Sequence, residues 1–159
     1  TLDRSSAASD VYKRQEIIMA DMKSAMREKD STRLNAIRLL RAALQRRELD
    51  DRTTLDDDGV VAVVQKMIKQ SRDSIAQFKR GGRDDLILNE TTLVQVLERY
   101  LPEQINEAVL IDLVIKAIAD TGADNMRDIG KVMAKLKPAI QGRADLGQVS
   151  AIVKQKLNR

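Results

Sequence analysis

The amino-acid sequence predicts an all-α fold, with an N-terminal helical hairpin plus long helices followed by a C-terminal set of three helices. Three observations carry this. Turn-formers are scarce, with seven Gly and two Pro in 159 residues, too few for a sheet protein of this size. Apolar residues recur every three or four positions along most of the chain, which places them on one face of a helix. In the second half, Asn or Asp stands at the start of each apolar run and Gly at the close of two of them, the order expected of helix caps.

Residues 1–15, TLDRSSAASDVYKRQ, are polar, Ser-rich and without sustained periodicity, and are expected to be a leader outside the fold. Residues 16–102 are expected to form an N-terminal helical domain and 103–159 a C-terminal three-helix domain. Helical pattern begins near Glu16, with Ile18, Met22, Ala25 and Met26 on one face. Asp30 or Ser31 is placed to cap a second helix, whose apolar stripe is Leu34, Ile37, Leu40, Ala43 and Leu44. So short a turn between two helices predicts an αα-hairpin. Asp56, Asp57 and Asp58 then fall in the first turn of a third helix, where negative charge opposes the positive end of the helix dipole. Val60, Val64, Met67, Ser71, Ile75 and Phe78 continue it, and Gly81-Gly82 stops it. Leu93, Leu97, Tyr100 and Leu101 mark a fourth helix, closed by Pro102 because proline disfavours helical geometry in the residue before it.

Beyond "YLPEQI", Asn106 caps a run of Leu110, Leu113, Val114, Ala117 and Ile118 that closes at Thr121-Gly122. Asn125 caps the next, with Met126, Ile129, Met133 and Leu136 expected to face inward. Gly142 offers a left-handed stop. Asp145 caps the last run, Leu146, Val149, Ile152, Val153 and Leu157.

Composition restricts the chemistry. One Phe, two Tyr and no Trp require an aliphatic core. With no Cys there is no disulfide and no thiol nucleophile. With no His the chain lacks the commonest general base near neutral pH and the common zinc sites built on Cys and His. Neither a catalytic constellation, a cofactor nor a metal is expected. Ser71, Ser74 and Ser150 are the candidate nucleophiles. Ser71 lies on the apolar stripe of its helix, and Ser150 has Lys154 one turn away without a recognisable oxyanion hole. Gly81-Gly82-Arg83 is too short to act as a phosphate-binding loop. No apolar run approaches the 18 or so residues of a membrane span, so no membrane partner and a cytoplasmic location are expected by default.

Charge is unevenly placed. Residues 130–159 carry seven basic side chains against Asp145 alone, a net +6, so the remainder of this +4 chain sums to −2. Lys131, Lys135, Lys137, Gly142, Arg143 and Lys154 are therefore the candidate nucleic-acid-binding residues. Phosphate contacts need Lys, Arg and approachable backbone N–H groups, and a glycine lets a ligand come close. The competing reading is a solvated helix surface with Gly142 as a C-cap. The shortage of aromatics disfavours base stacking, so recognition of a folded RNA by shape and backbone charge fits better.

"KMIKQSRDSIAQFKRGGRDDL", "YLPEQI" and "MRDIGKVMAKLKPAIQGRADLGQVSAIVKQKL" together resemble the YqeY-like proteins, over about residues 16–157. That family is related to the tail domain of the glutamyl/aspartyl-tRNA amidotransferase, the part of that enzyme that contacts the body of tRNA. The resemblance implies a C-terminal three-helix tail domain of this type and tRNA as partner, with an amidotransferase core or another translation-related protein as a further partner. Taken with the missing catalytic constellation, it points to a non-catalytic tRNA-binding or accessory role. It also carries a family-level class, carbon–nitrogen ligase with glutamine as amido donor, as the alternative, and a protein–protein adaptor acting through the Arg-bearing second helix is the third reading. Ile87-Leu88 and Ala108-Val109 stand where this family is usually more charged.

Overall fold

The computed structural model describes residues 12–158. Among them are seven α-helices, one turn of 3-10 helix and no strand. The chain divides into two compact units after Leu101. No helix among the described residues is long and apolar enough to cross a membrane.

The first unit contains α1 (Lys13–Arg27), α2 (Ser31–Asp51), α3 (Asp57–Gly81) and α4 (Asp84–Glu98). Helix α1 packs against α2, α4 lies chiefly along α3, and α2 also meets α3 and α4. Three residues connect α1 to α2. Lys29 takes a left-handed conformation, and Asp30 then accepts a hydrogen bond from the Arg33 backbone N–H at 3.2 Å, satisfying one of the exposed donors of the α2 first turn. Asp56 caps α3 through the Gly59 N–H at 2.9 Å. The stop at Gly82 places the Arg83 N–H on the Phe78 carbonyl at 2.9 Å, which satisfies a carbonyl of the last turn. Ile18, Ile37, Leu40, Val60, Val64 and Leu97 are among the most deeply buried side chains. Ser71 is buried on the inner face of α3, a small residue within the packing.

The leader boundary needs correction. Helix α1 starts at Lys13, so residues 13–15 belong to the fold. Asp57 fixes them: its carboxylate accepts the Arg14 backbone N–H at 2.9 Å and pairs with the Arg14 guanidinium at 2.8 Å. Arg14 Nε also donates to the Tyr100 carbonyl at 3.0 Å, and the Gln15 amide donates to Glu48 and to the Leu55 carbonyl. These are polar tertiary contacts, invisible to a search for apolar periodicity. The rest of the expected leader, residues 1–11, lies outside the described residues.

In the second unit, α5 (Glu107–Thr121) is followed by the 3-10 turn (Met126–Asp128), α6 (Ile129–Ile140) and α7 (Leu146–Leu157). Each of the three α-helices packs against the other two. Leu110, Val114, Val132, Leu136, Ile140, Val149 and Val153 form the centre of their shared core. Met126 and Leu146, expected to face inward, are exposed, as is Met26 of α1. Met126 belongs to the 3-10 turn, whose three residues per turn shift the side chain off the α-helical stripe. Leu146 and Met26 sit at helix ends, where the neighbouring helices no longer cover the face.

Candidate nucleic-acid interface

The candidate residues lie on α6, the turn after it and α7. Helix α6 buries Val132, Leu136 and Ile140, and this fixes where its lysines point. Lys131 and Lys135 are one turn apart and share a flank. Lys137 is six residues from Lys131, a rotation that leaves it about 120° away on the opposite flank. All three are exposed. Lys131 stands 3.9 Å from Asp128, which tempers its charge. The Asp128 carboxyl is held below the usual carboxylate range, first by the hydrogen bond it accepts from the Asp124 N–H and also by Lys131. Lys135, Lys137 and Lys154 make no ion pair among the described residues.

The turn at 141–145 is held from one side by the strap that leads into α5. Gly142 has φ +75°, a backbone state that costs an L side chain roughly 1–2 kcal/mol. Its carbonyl accepts the Gln104 amide at 3.0 Å. The Arg143 carbonyl accepts the Ile105 N–H at 2.9 Å, and Arg143 Nε donates to the Glu103 carbonyl at 3.1 Å. Three hydrogen bonds thus tie residues 103–105 to residues 142–143. Ala144 is packed beneath them in the core.

This geometry changes the part assigned to Gly142. The residue is buried, so its glycine character serves the left-handed turn and not the close approach of a ligand. The start of α7 is likewise committed, because Asp145 accepts the Gly147 N–H at 3.2 Å and its carboxylate repels an anion from that end. What remains for an anion is side-chain charge. Arg143 is exposed, and beyond the Nε bond its two terminal guanidinium nitrogens hold no protein partner among the described residues. The structure therefore gathers Gly142 and Arg143 at one turn, sets Lys131 with Lys135 on one flank of α6, and separates Lys137 from them.

Glu103 and Ile105 bond to the turn through their backbone, which carries no side-chain signature in the sequence, and only Gln104 contributes a side chain. Lys156 contributes to the sequence pattern only as charge; it is half-buried and borders a cleft of about 320 Å³ with Ile115, Ile118, Ala123, Asp124 and Leu157. No hydrogen bond links Ser150 to Lys154 among the described residues.

Two helical units, the second carrying a basic turn with a strapped arginine, define a small all-helical protein. The chain belongs to the Yqey-like protein family, whose model matches residues 15–157. It is 32% identical over 129 residues to "Altered inheritance of mitochondria protein 41, mitochondrial" of Pyrenophora tritici-repentis, covering 80% of this chain and 71% of that protein. The protein of the same name from Eremothecium gossypii is 37% identical over 82 residues, covering 51% of this chain and 45% of the relative. That from Saccharomyces cerevisiae strain YJM789 is 27% identical over 106 residues, covering 65% and 57%. The chain thus spans from about half to 71% of the length of these relatives. Their names overturn the cytoplasmic expectation, because these relatives are mitochondrial proteins by name. The lack of a long apolar helix among the described residues carries no information about compartment.

Proposed function

We propose that this chain is a non-catalytic tRNA-binding or accessory module. In this reading the first two helices act as an αα-hairpin of the N-terminal part, and the last three correspond to the amidotransferase tail domain that the sequence resembles. The observation that carries the reading is Arg143. Its side chain is held at a tight turn by the Glu103 carbonyl, while its terminal nitrogens remain available for a bidentate phosphate contact, the geometry for which guanidinium is best suited. The exposed lysines of α6 and α7 supply the surrounding positive charge. A translation-related protein partner, an amidotransferase core among them, belongs to the same proposal.

The test is tRNA binding by the full chain across a salt series. About four phosphate contacts give a log–log slope of about −3 to −4. Lys135→Ala and Lys137→Ala are the informative variants, since neither side chain makes an ion pair among the described residues and they lie on opposite flanks of α6. The one whose flank faces RNA should flatten the slope by about one unit, and the other should leave it unchanged. Arg143→Ala should flatten it too, with a circular dichroism spectrum matching the parent. Affinities and slopes that are the same in all three variants would reduce the basic cluster to a solvated surface.

A further inference from the structure

Helix α2 has a second stripe that the other described elements leave exposed. Its inner face buries Ala36, Ile37, Leu40 and Leu44. On the other side, Asn35, Leu39, Ala42, Arg46 and Leu49 are all exposed. Leu39 is 55% exposed and Leu49 78%. These five positions follow spacings of four, three, four and three, the alternation of a coiled-coil seam, and Leu39 to Leu49 spans about 15 Å of helix. Arg38 flanks the seam and Arg46 lies in it. The other arginines of the helix are engaged: Arg33 with Asp21 and Glu28, Arg41 with the Met22 sulfur, Arg47 with Asp51. Arg38 and Arg46 make no ion pair among the described residues. The only carboxylate bordering the stripe from α2 itself is Asp50, exposed at its C-terminal edge.

We propose that this outward stripe of α2 docks an acidic amphipathic helix of a protein partner. Charge decides among the occupants. A second copy of this chain pairing antiparallel about Ala42 would set Arg38 against Arg46, and a parallel pair would set Arg46 against Arg46; like charges at facing positions oppose both. An RNA would satisfy the two arginines, but exposed leucines give nothing to a phosphate backbone. A helix with leucines along its seam and glutamates beside it meets both parts of the stripe, as helix-in-groove partners do through anchors on successive turns.

The experiment uses the full chain and a synthetic 21-residue peptide of three heptads, with Leu at the seam and Glu at the flanking positions. The control peptide carries Lys in place of Glu. The Glu peptide should bind by fluorescence anisotropy and the Lys peptide should not. Leu39→Ser with Leu49→Ser should weaken binding by about tenfold or more. Arg38→Glu with Arg46→Glu should lose the Glu peptide and acquire the Lys peptide, a gain that also proves the variant folded. The proposal is overturned if the Glu peptide fails to bind, or binds the leucine variant as tightly as the parent. It is equally overturned if the arginine variant loses tRNA affinity without any change toward either peptide, which assigns the stripe to RNA. A concentration-dependent dimer of the parent that Leu39→Ser dissolves assigns it to a second copy, with the same consequence.

Discussion

Replacing Tyr100 by Phe tests the polar network that holds the first unit together. The Tyr100 ring is buried just beyond α4, and its hydroxyl donates to the Asp21 carboxylate of α1 at 2.7 Å. Arg33 of α2 approaches the other oxygen of that carboxylate at 3.5 Å. One phenol therefore links the end of α4 to the α1–α2 pair. A hydrogen bond to a charged acceptor contributes about 1.5–3 kcal/mol. Asp21 keeps Arg33 and is 23% exposed at its side chain, so water replaces part of the lost bond and the loss should be about 1–2 kcal/mol. The Phe ring preserves the packing. Burial first, then the hydrogen bond and charge of Asp21, push the phenol well above its ordinary value. The folded state thus favours the neutral phenol. Its contribution is complete below about pH 10 and falls as the unfolded phenol ionises, by about 1.4 kcal/mol per pH unit. Urea denaturation of parent and Tyr100→Phe from pH 7 to 11 measures this. The stability gap should stay constant to about pH 9 and have narrowed by about 1.4 kcal/mol at pH 11. Equal stabilities at pH 7, or two parallel curves to pH 11, would refute the argument.

Two further outcomes follow from the turn and from the start of α1. Gly142→Ala places a side chain at φ +75° in a buried position and should lower stability by about 1–2 kcal/mol in chemical denaturation; an unchanged midpoint would mean that the turn relaxes without strain. Arg14→Ala removes the contacts to Asp57 and to the Tyr100 carbonyl, leaves the backbone bond to Asp57, and should cost about 1–2 kcal/mol by the same measurement. A variant as stable as the parent would return residues 13–15 to the status of an appendage.

Much of the fold was legible because helices announce themselves locally. Apolar spacing located the α3 core through Val60 and Val64 and the α6 core through Leu136. Val132 and Ile140, which complete the buried face of α6, lie one turn to either side of Leu136. Cap chemistry found Asp30, Asn106, Asn125 and Asp145, each of which accepts a backbone N–H in the structure; Asp56, read only as first-turn charge, turned out to be the cap of α3. The candidate site was legible only as charge. A net +6 marks the C-terminal end whatever the fold, since charge is a sum over residues and needs no coordinates.

The sequence by itself determined the helical class, the family and the basic end, because each depends on residue identity or on spacing within one helix. Tertiary structure alone decided the rest. It buried Gly142 under the strap from Gln104 and so turned an expected approach point into a packed turn. It recruited Arg14 and Gln15 to partners more than 30 residues away. On α2, spacing had already marked Leu40 and Leu44 as one stripe, and the packing of the neighbouring helices covers that stripe and leaves Leu39 and Leu49 outside. A helix's periodicity says which residues share a face, but only the positions of its neighbours say which face is covered.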